Sequence, residues 1–178
     1  MACSTHIVEC LRNEGIEPFA FASSESGASY ASNALDYLTE STFYPKSSYK
    51  NQYWAVYFKK TVNLQSYQIK AGTSSSSLAS IYRWTMSTSM DNLTWTFVSS
   101  PAQGNPGDKI FTLDKPINAR YVRIEGSSLY SVDTSQFWFY HIKFFGSLSP
   151  MPSNRCQTCK LVRNLSFKFL FYHFFLCS

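Results

Sequence analysis

From Pro18 to Phe145 the chain is cut every few residues by Ser, Gly, Pro, Asn and Asp, and no long helical run lies between the cuts. The uncut runs are short and rich in aromatic and β-branched residues, the composition of strands. They are Phe19–Ala22, Tyr53–Phe58, Leu64–Lys70, Tyr82–Met86, Thr94–Val98, Lys109–Leu113, Ala119–Glu125 and Trp138–Phe145. In Ala119–Glu125 the alternation sets Tyr121 and Arg123 on one face and Val122 and Ile124 on the other. Ile110 and Phe111 are both candidates for burial. Strands that follow one another without crossover helices predict an all-β fold, an antiparallel jelly-roll β-sandwich.

The connections are polar. Ser23–Ser32, Thr39–Gln52, Gly72–Ser80 and Pro101–Gly107 read as loops, Met90–Leu93 as a turn, and Asn33–Leu38 as one helical turn or a tight bend. Only 15% of residues are charged, so Ser, Thr, Asn, Gln and Tyr must supply the polar surface, as suits strands better than helices. No internal repeat is present.

The ends differ from this middle. Residues 1–17 place Ile7, Val8 and Leu11 at helical spacing, so the segment is a short helix or a linker. The sandwich is expected over residues 18–147. Residues 148–178 begin with a Pro-rich linker and continue as an irregular aromatic tail, Leu165–Cys177, shorter than a spanning helix and interrupted by Lys168 and His173. Membrane contact is expected only through that tail, which reads more readily as a segment that specifies little structure than as a lipid-anchor signal.

Net charge is −2 over residues 1–17, +3 over 18–147 and +4 over 148–178. The middle has no dense basic stripe to track a phosphate backbone, so nucleic acid is not an expected partner. All five cysteines, Cys3, Cys10, Cys156, Cys159 and Cys177, lie outside the middle, which must therefore be held by its core. The N-terminus lacks an apolar signal segment, and both features favour a reducing, intracellular setting. The sequons at Asn92 and Asn164 carry no meaning there.

A search for chemistry finds little. His141 is the one histidine of the middle, and a structural role on a strand explains it. Asp91, Asp108, Asp114 and Asp133 stand beside turn residues, and Gly104-Asn105-Pro106-Gly107 is a turn rather than a phosphate loop. Cys156 and Cys159, with His173 and Cys177, make a weak zinc pattern; a bridge from Cys10 to Cys156 would need an oxidising compartment. An enzyme is not expected.

Several segments in order resemble the discoidin family, the coagulation factor 5/8 type C domain. They are Ala22-Ser23-Ser24; Asn33-Ala34-Leu35-Asp36; Gln52–Phe58; Trp84 to Trp95 with Ser89 and Asp91 between; Ile117–Ile124; and Ile142–Gly146. The resemblance covers about residues 18–147 and implies a galactose-binding-like jelly roll used as a rigid platform, with ligands bound by loops at one end. Carried over by position, the first loop is Glu25–Ser32 with Tyr30. The second is Thr39–Gln52 with Phe43, Tyr44, Lys46, Tyr49 and Lys50. The third is Gly72–Ser80 with Leu78. Trp54, Trp84, Trp95, Arg120 and Arg123 are expected to be structural, Arg120 by pairing with an Asp or a main-chain carbonyl.

The function implied is a non-catalytic module binding carbohydrate or a protein partner. A scaffold domain without a small ligand is the alternative, and a phospholipid-binding or glycosidase-accessory module the third. Flat Tyr rings and adaptable Ser hydroxyls suit such contacts, whereas lipid insertion would want larger apolar tips. The resemblance needs no cofactor but leaves calcium open near Asp36, since members hold it there with main-chain oxygens. Two departures stand out. The cysteine pair that joins the domain ends is missing from its usual places, and Asn92 replaces the Gly after the turn Asp, a residue that also tolerates a left-handed backbone.

Overall fold

The computed structural model of the chain describes residues 2–36, 42–45, 52–70, 84–99, 109–126 and 137–149. Seven strands are present among them: β1 (Ala2–His6), β2 (Phe19–Ala22), β3 (Tyr53–Lys70), β4 (Trp84–Ser89), β5 (Thr96–Ser99), β6 (Ile110–Gly126) and β7 (His141–Leu148). A helix, α1 (Ile7–Asn13), follows β1, and a 3-10 helix (Ala31–Leu35) precedes β3. All the pairings are antiparallel, in the order β1-β7-β3-β6-β4-β5, with β2 added to β3.

Two strands make this one hydrogen-bonded sheet into a sandwich. The first half of β3 pairs with β2 and the end of β6; its second half pairs with β7 and the start of β6. Between the halves the register shifts and Lys59 takes φ 60°. The strand bends there and folds back over itself. Trp54, from the first half, stacks on Phe144 at 6.3 Å, and Phe144 is the strand partner of Tyr67 in the second half. Phe58 meets the same Phe144 edge-on at 5.3 Å. Both ends of β3 therefore lie at one end of the sandwich and its bend at the other.

The sequence splits β3 into Tyr53–Phe58 and Leu64–Lys70, and β6 into Lys109–Leu113 and Ala119–Glu125. The structure joins each pair, because a polar segment at a bend can stay in the ladder while changing layers. Phe19–Ala22 is a strand as expected. Val122 and Ile124 are fully buried, but Ile110 is half exposed.

The core lies between the layers: Trp54, Val56, Phe58, Val122, Ile124 and Met86 from one, Val62, Leu64, Tyr67, Ile69, Ile142 and Phe144 from the other. The Trp84 indole donates to the Tyr67 hydroxyl at 3.2 Å, satisfying a polar group in that core, where burial pushes the Tyr67 phenol up. The helical spacing near the N-terminus is realised in α1, whose Ile7, Val8 and Leu11 are fully buried in the same core. β7 runs to Leu148, one residue past the expected boundary, and pairs it with Val62.

Candidate functional site at the loop end

Beyond β2 the chain makes a loop whose shape is dictated residue by residue. Ser26 to Ser29 close a tight turn, with Ser29 N donating to Ser26 O at 2.9 Å; Gly27 sits at φ 56°, a conformation glycine adopts without steric cost. Glu25 Oε1 accepts the Ala31 N–H at 2.7 Å, binding a donor at the start of the 3-10 helix. From beneath, Trp54 Nε1 donates to Ala31 O at 2.9 Å. The main chain beside Tyr30 is thus held from two sides, and the Tyr30 side chain projects with 54% exposure.

The neighbouring segments are tied to this loop. Asn33 Nδ2 donates to Ala28 O at 3.0 Å and to Thr42 O at 3.1 Å, and Ser26 N donates to Tyr44 O at 3.0 Å. Ser23 and Ser24 hydroxyls both donate to Gln52 Oε1, at 2.8 and 2.7 Å. Gln52 O in turn accepts Gly126 N at 3.0 Å. The result is a preorganised polar platform carrying an exposed aromatic ring, which can offer a stacking face and hydroxyl groups without ordering a loop first.

The expected site residues meet different fates. Tyr30 is exposed on the platform. Tyr44 is half-buried beside it. Phe43 is a correction: it is fully buried, bridged to Phe139 by main-chain bonds of 3.0 and 3.3 Å, with its ring 5.5 Å from that of Phe139. It packs in the core because its backbone is held as a one-residue strand. Lys46, Tyr49, Lys50 and Leu78 lie outside the described residues, as do Cys156, Cys159, His173 and Cys177. Asp36 closes the 3-10 helix, half-buried, its N–H on Asn33 O.

Of the structural residues, Trp54 and Trp84 are core. Trp95 is half-buried and receives the Arg123 guanidinium 4.5 Å from its ring. Among the described residues Arg120 meets neither an Asp nor a carbonyl; it donates to the Tyr57 hydroxyl at 2.7 Å, because Tyr57 occupies the adjacent strand next to it. Sequence reasoning missed Glu25, Asn33 and Gln52 as the residues that fix the platform. Their partners are main-chain atoms or distant hydroxyls, which leave no local pattern.

At the opposite end of the sandwich lies a shallow cavity of about 260 Å³ edged by Ser89, Asp91, Thr94 and Asn118. Its carboxylate is occupied by the turn. Asp91 Oδ1 accepts the N–H groups of Thr94 and Leu93, each at 2.8 Å, and the Ser89 hydroxyl at 3.0 Å. These bonds hold its carboxyl down to about 2 from the ordinary 3.8. Asn92 takes φ 65°, as the turn was expected to require. Among the described residues no group of three or more His, Cys, Asp or Glu side chains gathers to hold a metal, and no helix is long and apolar enough to cross a membrane.

Solved structures share this architecture. The family 32 carbohydrate-binding module of C. perfringens NanJ, in complex with galactose, is 22% identical, with a TM-score of 0.63 over 79% of this chain and 97% of that one. Chitosan-binding module 1 of a chitosanase/glucanase from Paenibacillus sp. IK-5 is 21% identical, with a TM-score of 0.62 over 74% and 96%. The Clostridium perfringens module CpGH89CBM32-5, in complex with GalNAc-β-1,3-galactose, is 14% identical, with a TM-score of 0.62 over 72% and 95%. At these identities the likeness is one of fold. No curated protein matches the chain. The F5/8 type C domain model matches residues 20–139, from β2 to the Phe43–Phe139 bridge, and the chain belongs to that family.

Proposed function

We propose that this chain is a non-catalytic carbohydrate-binding module whose ligand sits on the loop end, with Tyr30 as the stacking ring. The observation that carries the reading is the exposed Tyr30 on a main chain fixed by Glu25 and Trp54. A sugar presents an apolar C–H face and a rim of hydroxyls; an aromatic ring beside Ser hydroxyls and main-chain groups complements both. Structural neighbours with bound galactose or GalNAc-β-1,3-galactose support the ligand class. Lipid insertion has less support: of the large apolar side chains exposed among the described residues, only Tyr30 lies on the first or second loop. A glycan array with the full chain tests the reading, beside phospholipid vesicles. Selective binding of galactose-, GalNAc- or glucosamine-bearing glycans is expected; a blank glycan array, or binding to vesicles alone, would overturn it.

The reading needs no calcium. Asp36 and nearby carbonyls are oxygen donors of the kind calcium takes. The Arg12 guanidinium, paired with the Glu17 carboxylate, donates to Leu35 O at 3.3 Å, one residue away, so that carbonyl already has a donor. That contact supports a loop that works without the ion. As to compartment, Cys10 is disulfide-bonded. Such bonds persist where conditions are oxidising, so this one supports an oxidising setting over the reducing one expected from sequence.

A further inference from the structure

Among the described residues, the outward face of the layer β2-β3-β6-β4 is aromatic and cationic, where the outer face of an antiparallel sheet is ordinarily polar. Strand register aligns Phe19 with Tyr57 and Tyr121, and then Phe21 with Ala55 and Arg123. Tyr57 and Tyr121 stack at 4.5 Å with planes 10° apart, and Phe19 and Phe21 stack at 6.1 Å. Phe21 in turn meets Tyr53 edge-on at 6.4 Å. Two guanidiniums lie on these rings: Arg120 is 5.4 Å from Tyr57, and Arg123 is held between Trp95 at 4.5 Å and Tyr53 at 5.8 Å. Glu125, 3.3 Å from Arg123, is the carboxylate among them.

This surface has the parts of a site for an anionic sugar chain. The planar guanidiniums are oriented by ring faces and by the bond from Arg120 to the Tyr57 hydroxyl, so they can meet a carboxylate or sulfate without losing much freedom. Among the described residues of the face, two cations stand against one carboxylate, a positive balance. Phe19, 59% exposed, offers an open ring beside them. The face also runs into the loop platform: Phe21 and Ala22 lead to Ser23, and Tyr53 follows Gln52. A chain resting on the platform can continue along it.

We propose that this sheet face is a second binding surface, specific for acidic polysaccharides, that extends from the loop end. It goes beyond the loop-end reading and does not depend on it. The test is calorimetry of the full chain with polygalacturonate, alginate and chondroitin sulfate, beside neutral galactan and dextran and beside polyglutamate, at low and high salt. Wild type is compared with Phe19→Ser/Arg120→Gln and with Tyr30→Ala, each checked for folding by thermal melting. The acidic polysaccharides are expected to bind more tightly than the neutral ones and to weaken as salt rises. The double variant is expected to lose about fivefold in affinity for them, as removal of a stacked cation and ring implies, while Tyr30→Ala keeps it. Should the double variant fail to fold, Phe19→Ser alone, altering one exposed ring, gives the readout. Equal binding of acidic and neutral polymers, no binding of either, polyglutamate binding as tightly as the polysaccharides, or a loss confined to Tyr30→Ala would each overturn the proposal; the last would leave the loop-end reading standing alone.

Discussion

Gly146 sits at φ 153° on β7, where a Cβ would run into the Asn63 carbonyl of the neighbouring strand. Since the clash is with backbone, nothing flexible can yield. Gly146→Ala is expected to cost roughly 2–4 kcal/mol, measured by urea denaturation. A cost within experimental error would refute the close approach. Asp91 sets an acid limit. Its carboxyl titrates lower folded than unfolded, so its contribution is present above about pH 4 and is lost as pH falls through about pH 2. Melting temperatures recorded from pH 5 to pH 2 should drop less steeply for Asp91→Asn than for wild type, and parallel curves would show that the turn is not what titrates. Both residues were visible in the sequence, Gly146 as part of the closing segment and Asp91 as turn chemistry. Phe43 was misread because its neighbours Tyr44 and Pro45 have loop composition, while its burial depends on Phe139, almost a hundred positions away.

At the scale of elements, α1 decides whether the N-terminal segment belongs to the domain. Leu11 is fully buried, and α1 abuts β7, with Arg12 reaching Leu35 O of the 3-10 helix. Leu11→Ala should destabilise the whole domain by about 2–4 kcal/mol in a single transition. A linker would instead show no change. The helical spacing of Ile7, Val8 and Leu11 was legible; whether that face was buried was not, since spacing alone cannot name the surface it packs on. The long strands show the converse. The sequence ends one strand at Phe58 and starts the next at Leu64, yet φ 60° at Lys59 lets β3 turn a corner and re-enter pairing at Val62. Composition marks where a chain bends, but long-range pairing determines whether the strand ends there.

For the molecule as a whole, alternation and turn spacing were enough for an antiparallel sandwich, and the order of six short segments was enough for the family. Of the expected ligand-binding residues at the loop end, Tyr30 is exposed, Tyr44 half-buried and Phe43 buried, and the others lie outside the described residues. The platform beneath it depends on non-local bonds from Glu25, Asn33 and Gln52 that no period reveals. With Arg12 beside the Asp36 loop, the melting temperature is expected to be the same in calcium as in a chelator; a rise in calcium would return the ion to that loop. The central claim, that the loop end binds sugar through Tyr30, is tested most directly by calorimetric titration of the best array glycan into wild type and Tyr30→Ala. The account predicts unchanged melting and an affinity about tenfold weaker for Tyr30→Ala, the loss expected when a stacking aromatic is truncated. Equal affinity for the two proteins would contradict it.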